Sequence, residues 1–450
     1  MKSVKILSLL LILLNGLRDG PFAAADRLED LHVIDWHAHV AGLGYGDSGA
    51  FINDGMRRNF RFRFFMRWLG VTEQELEVEG DGLVVRRLSE NIARSRYVDQ
   101  AVVLAFDGIV DKTSGVLDKE NTQFYVPNDF VRRETAKYPN LLFGASINPY
   151  RRDSLQLLEE VAAQGAVLVK WIPSIMHIDP ADEAIVPFYQ KMAALGLPLL
   201  SHAGQERSFA HAHDEYSDPL RLTLPLRHGV TVIAAHIATT GESEGQDNFE
   251  RILPMFAAWP NLYTDISSLT QINKLGFLAR ALKVPGLTAR MLYGTDWPLQ
   301  YFPMVSAWFH VNHIGIRNAW RVSRIDNEWD RDVALKQAFG VPDAVFTRTL
   351  GILGNQKPAS GSTLLGECAA YKSTPHSSRF VRLEIELFSK PSGFLPVHFS
   401  WFVFFSAKEN EQRTREVVNP DLSPGCPIRF LLQKKPQQGG VKRFLRNRRT

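Results

Sequence analysis

Residues 32–40 read HVIDWHAHV, an apolar run that closes on two histidines separated by a single alanine. In an extended strand alternate side chains share a face, so His37 and His39 are expected to project together, with Trp36 and Ala38 on the opposite side. Paired imidazoles at the end of a buried strand suit a common ligand, although two hydrogen-bonded histidines at a rim would read the same way. The choice between them depends on what else the chain brings to that place.

Working outward, seven more apolar runs bounded by turn residues read as strands: 99–107, 141–147, 165–172, 197–202, 230–236, 261–267 and 290–296. After a long first interval they recur at a spacing that leaves room for one helix each. Two of those helices are legible. In 153–165 Asp153 or Ser154 is the cap, Leu155, Leu158 and Ala162 form the apolar face, and Gly165 is the stop. In 179–196 Asp179 precedes Pro180 at the first turn, Ile185, Phe188 and Met192 are in register, and Gly196 ends the helix. Strands that are apolar on both faces and alternate with amphipathic helices predict a parallel sheet covered by helices, and eight of them predict a (β/α)8 TIM barrel. The alternative, an open doubly wound sheet, lacks its usual G-x-G-x-x-G after the first strand.

The ends of the chain read differently from its body. Residues 1–25 carry a basic start, an apolar run and the small residues Ala23, Ala24 and Ala25, the pattern of an export signal. Periplasmic or extracellular residence is therefore expected, with the cytoplasm as the alternative, and no stable membrane span is foreseen. The barrel is assigned to 26–354. From residue 355 the periodicity stops, and 355–450 is an irregular C-terminal tail of unknown structure. It holds 16 Lys/Arg against 7 Asp/Glu, so the net charge of +4 hides a basic tail and a mildly acidic body. That distribution gives no reason to expect nucleic acid as a partner. A small-molecule substrate is expected, and a homo-oligomer is left open. Cys368 and Cys426 both lie in the tail, so a metal in the body must be held by nitrogen and oxygen.

In a parallel barrel every strand ends on the same face, where active sites sit. Here the predicted strands end on His37 and His39, Lys170, His202, His236 and Asp296. Gathering these groups on one rim without a ligand would be costly, and imidazole with carboxylate suits zinc and similar divalent ions.

The ordered set DWHAHV, KWIPS, SHAG, AAHIATTG and YGTDWP resembles the amidohydrolase superfamily, most closely its amidohydrolase-related (amidohydrolase 2) branch, over residues 31–354. The segment AVFTRTLGIL, 344–353, resembles that branch's closing helix. The resemblance implies that His37, His39, His202 and Asp296 hold a divalent metal such as Zn2+, with one ion expected and two permitted. It also implies that Asp296 moves a proton for a metal-activated water, while His236 and Lys170 act on the substrate carbonyl. In two-metal relatives the Lys170 position carries a carboxylated lysine. The implied activity is hydrolysis of an ester, lactone or amide-like bond. Decarboxylation or hydration of a small acid is one alternative, and a non-catalytic binding protein on the same fold is another.

Other residues weigh less. His177 reads as a loop histidine, and His211 and His213 form a second HxH in a loop. Gln205, Glu206 and Arg207 lie on the expected active face, one of them in contact with substrate. Trp171 and Trp297 read as packing residues. The arginine- and aromatic-rich stretch 54–70 is either a lid or anion-binding wall, or a solvated helix with aromatic feet.

Overall fold

Eight short parallel strands, each bounded by the turn signals of its run, organise the computed structural model, which describes Leu28, residues 31–59 and residues 61–354. They are β1 (Ile34–His39), β2 (Gln100–Leu104), β3 (Leu141–Gly144), β4 (Val169–Trp171), β5 (Leu199–His202), β6 (Val232–Ala235), β7 (Leu262–Asp265) and β8 (Met291–Leu292). Each falls inside its predicted run, or within three residues of it. The export-signal reading of 1–25 and the tail 355–450 lie outside the described residues. The described residues belong to one of two units of the chain, 1–373. Among them no helix is long and apolar enough to cross a membrane.

The architecture is mixed α/β. Strands β1, β2 and β3 form one parallel sheet, and β4 to β8 a second, in sequential order throughout. Backbone bonds join the two sheets along both edges. At one edge Lys170 N donates to Ala145 O at 2.7 Å and Ala145 N to Leu168 O at 2.9 Å. At the other, Trp36 N donates to Tyr293 O at 3.1 Å, Asp296 N to His37 O at 2.8 Å and His39 N to Trp297 O at 2.9 Å. The helices Asn128–Thr135, Ser154–Ala163, Val186–Leu195, Thr223–Arg227, Asn248–Ala258 and Phe277–Leu282 fill the intervals from β2 to β8.

Packing follows the strand alternation. Ile34, Trp36, Val102, Leu104, Leu200, Ile233, Ala235 and Leu292 form one buried cluster fed by both sheets. Leu350, Ile352 and Leu353 of Thr349–Gly354, the segment that resembled a closing helix, pack against it. On the strands the residues between them, such as Ala101 and Val103, join a larger cluster with the helices.

Three local expectations need correction. Trp36 and Ala38 do not share a face: Trp36 packs beside Ile34, Ala38 with the larger cluster. The register with β2 slips by one residue between Asp35 and Ala38, and such a bulge resets the alternation. On the helix Ser154–Ala163, Leu155 is 39% exposed and Val161 takes its place against the core beside Leu158. The helix expected from Pro180 begins at Val186, after a 3-10 turn at Glu183–Ile185, because the Asp179 and Asp182 carboxylates cap local turns instead.

Asp35 ties β1 to the far edge of the fold. Its carboxylate accepts from His37 N and Thr295 N at 3.0 Å, Thr295 Oγ1 at 2.5 Å and Trp329 Nε1 at 2.9 Å, all buried. Asp35→Ala strands those donors and is expected to lower stability by about 3 kcal/mol in urea unfolding. A loss below about 1 kcal/mol would mean the network is not a main tie.

Candidate metal centre

The bulge in β1 is what aims its two histidines. His37 is fully buried and the His39 side chain is 19% exposed, with the ring centroids 4.9 Å apart and the two Nε2 atoms 3.1 Å apart. Asp296, just past β8, sits in the left-handed region at φ 63° and turns its carboxylate toward them. Its Oδ1 lies 3.5 Å from His37 Nε2 and 3.4 Å from His39 Nε2, and its Oδ2 lies 3.8 Å from His236 Nε2. His37, His39 and Asp296 thus place one ligand atom each within 4.8 Å of the others.

Behind them stands a residue the sequence reading passed over. Asp265, the last residue of β7, accepts from His37 Nδ1 at 2.8 Å through Oδ2. Its Oδ1 accepts from His236 N at 3.0 Å and from Ser267 Oγ at 2.5 Å. The signal was available, since a carboxylate ends the predicted seventh strand as well. His37 therefore carries its proton on Nδ1 and presents an Nε2 lone pair to the cluster. His236 Nδ1 faces the Ser267 carbonyl at 3.1 Å, so its Nε2 also presents a lone pair. His236, Ile237 and Ala238 all have positive φ, a strained turn held by Asp265 and by Thr264 Oγ1, which accepts from Ile237 N at 3.0 Å. Gly294 fits beneath this arrangement because a Cβ there would come within 3.1 Å of the His37 Cβ.

The electrostatics agree with neutral imidazoles among charged neighbours. Burial, then the nearby Lys170 ammonium, pushes His37 down to about 4, and burial pushes His236 well below its usual range. Burial lowers Lys170 to about 8, and its Nζ lies 3.0 Å from His37 Nε2.

His202 stands somewhat apart. It lines the same pocket with its ring 5.4 Å from that of His236, yet it is not part of the trio, and its nearest carboxylate is Glu206, 3.5 Å from Nε2. That Nε2 is buried and makes no hydrogen bond among the described residues. Gln205, Glu206 and Arg207 all line the pocket. His177 and His213 meet edge to face at 4.4 Å, outside the pocket lining, and His211 is exposed. Trp171 and Trp297 are core residues. The stretch 54–70 supplies Met56, Phe62, Phe65, Met66 and Leu69 to the pocket wall, while none of its arginines lines it. It forms an apolar wall and not an anion-binding one.

With that geometry in place, the comparison with known families is direct. The amidohydrolase family model matches residues 34–315. The chain belongs to the amidohydrolase family. Members of this family depend on metal, and the trio with its backing carboxylate supplies suitable donors. No curated protein sequence matches the chain. Among solved structures, an uncharacterized TIM-barrel protein of Bordetella bronchiseptica is 18% identical, covering 72% of this chain and 100% of its own, with a TM-score of 0.44. An amidohydrolase 2 of Bifidobacterium longum subsp. infantis is 14% identical over 69% of this chain and 100% of its own, TM-score 0.36. A 5-carboxyvanillate decarboxylase of Sphingomonas paucimobilis is 13% identical over 70% and 99%, TM-score 0.36.

In this amidohydrolase, removing the acceptor behind His37 frees its ring to rotate and change tautomer. Asp265→Ala is expected to weaken divalent-metal affinity by about 10- to 100-fold, measured by competition with a chromogenic chelator. Unchanged affinity would separate Asp265 from the metal centre.

Proposed function

We propose that this amidohydrolase cleaves an ester, lactone or amide-like bond of a small molecule with one divalent metal ion, on a closed (β/α)8 barrel. Sequential strand order and backbone bonds along both sheet edges support the closed barrel. The observation that carries the functional reading is the convergence of His37, His39 and Asp296, with Asp265 fixing the tautomer of His37.

The donors suit a cation. Two imidazole nitrogens and a carboxylate oxygen crowd together, the His37 lone pair among them, and among the described residues His202 adds a buried nitrogen without a hydrogen bond. His37, His39, His202 and Asp296 would hold an ion such as Zn2+. Bound there, the ion supplies Lewis acidity and makes water acidic enough to lose a proton near neutral pH.

The chain's own groups do the rest. Asp296 accepts the proton of the attacking water and delivers it to the leaving group. His236 Nε2, an acceptor in its present tautomer, orients that water, so polarising the substrate carbonyl falls to the Lys170 ammonium. The Lys170 ammonium lies 3.0 Å from His37 Nε2, within reach of the same centre.

The test is chemical. Purified protein is expected to carry about one equivalent of divalent metal. Chelation should abolish hydrolysis of an ester and lactone panel, and Zn2+ should restore it. Hydrolysis that survives chelation overturns the reading. Release of carbon dioxide from aromatic acids without ester or lactone cleavage would reassign the same centre to decarboxylation.

A further inference from the structure

The pocket that opens on the metal centre has a lobe that the reaction above leaves unused. It begins at Val40, the residue after His39, and reaches Leu76 on the helix Glu73–Glu79 and Val84 on the helix Gly82–Ala93. Among the described residues from 40 to 84, every one that lines the pocket lacks a side-chain nitrogen or oxygen. The Leu43 N–H is engaged as well, donating to Asp81 Oδ2 at 2.9 Å. Leu76 and Val84 are 1% and 0% exposed, so the lobe ends inside the protein. The polar lining lies on the other side, with Lys170, His202, His236 and Asp296 at the floor and the exposed Arg207 and Asn273 at the mouth.

What fills such a lobe follows from its chemistry. A hydroxyl, amide or charge placed there would leave water and find no side-chain partner. Hydrocarbon meets no such cost and gains with each methylene removed from water. Met56 and Met66 line the lobe beside Leu69, and their unbranched, flexible side chains adapt to a chain that samples several rotamers. Because the lobe starts next to His39, a carbonyl at the metal centre directs one substituent into it, while the leaving group faces the polar mouth. We infer that the lobe binds the unbranched alkyl chain of an acyl group, which makes the substrate an uncharged ester or amide of a medium-chain acid. This substrate class rests on the hydrolytic reading proposed above. Leu76 and Val84, at the blind end, set the longest chain accepted, and no residue of the lobe takes part in bond cleavage.

The experiment uses unbranched hexanol and octanol together with cyclooctanol, neutral probes whose binding does not depend on the charge of the centre. Each is titrated by calorimetry into the full-length protein, as purified and after chelation. Octanol should bind about tenfold tighter than hexanol in both forms, because two more methylenes leave water, and tighter than cyclooctanol. Leu76→Phe shortens the lobe and should bring the octanol-to-hexanol ratio down to about twofold or less. Met66→Trp, at a half-buried position, should lower that ratio too and decides the matter if Leu76→Phe does not fold. Hexanol and octanol binding alike to wild type, a ratio unmoved in the folded variants, or cyclooctanol binding as tightly as octanol overturns the acyl-chain site. Kinetics on the Zn2+-loaded protein separates the two readings, with kcat/KM expected to be higher for para-nitrophenyl octanoate than for the butyrate. Hydrolysis of both esters with a flat alcohol series overturns the acyl-chain site and leaves the hydrolase reading standing. A rising alcohol series in protein that cleaves neither ester supports the chain site and overturns the hydrolase reading.

Discussion

The Asp265 carboxylate is the contact on which the rest of the centre depends. One oxygen fixes the His37 ring, and the other holds the backbone of His236 and the Ser267 hydroxyl. Without it, His37 would be free to offer either nitrogen, and three consecutive positive-φ residues after β6 would lose a main restraint. Burial works against ionising Asp265, but the His37 imidazole and the hydrogen bonds it accepts outweigh that and hold it below the ordinary carboxylate range. A fully buried anion is tolerable here because it is saturated with donors. It also favours a cation on the far side of His37, where the lone pair points.

Around that anchor the fold concentrates charge at the strand ends while keeping the strand interiors apolar. Ile34, Trp36, Leu200, Ile233 and Leu292 fill one layer, and beyond it along the chain come His37, His202, His236 and Asp296, the last two just past the ends of β6 and β8. Packing the first layer fixes the strand registers, and the registers fix the polar groups to within hydrogen-bonding distance. The centre inherits its precision from hydrophobic packing, with Asp35 and Trp329 adding a polar tie from below.

The pocket above the centre has a different character. Its apolar wall comes largely from 54–70 and from the loops carrying Phe106, Phe124 and Phe209. The helix Arg61–Trp68 turns Phe62, Phe65 and Met66 inward while Arg63 and Arg67 stay exposed. Such a wall excludes water and strengthens every charge interaction at its floor. Charged groups and apolar wall are thus divided between strand ends and loops, as expected when a rigid scaffold carries variable connections.

Much of this was legible in the sequence because it is local. Apolar runs of strand length, capped amphipathic helices and the polar residue closing each run gave eight strands, the mixed α/β class and the groups His37, His39, Lys170, His236 and Asp296 around one pocket. What the chain order could not say was which atoms meet. The bulge that puts Trp36 on the same side as the histidines needs the register with β2, and no alternation rule contains it. Asp265 stood in plain view at the end of its strand, yet its bond to His37 spans 228 residues. Lys274 lay outside every predicted strand, and only folding removes it from water and, among the described residues, leaves its ammonium bonded to the Ser268 hydroxyl. Residue type and periodicity depend on neighbours along the chain, and the sequence determined those. Tautomer, charge balance and pairing depend on neighbours in space, and only the tertiary structure decided them.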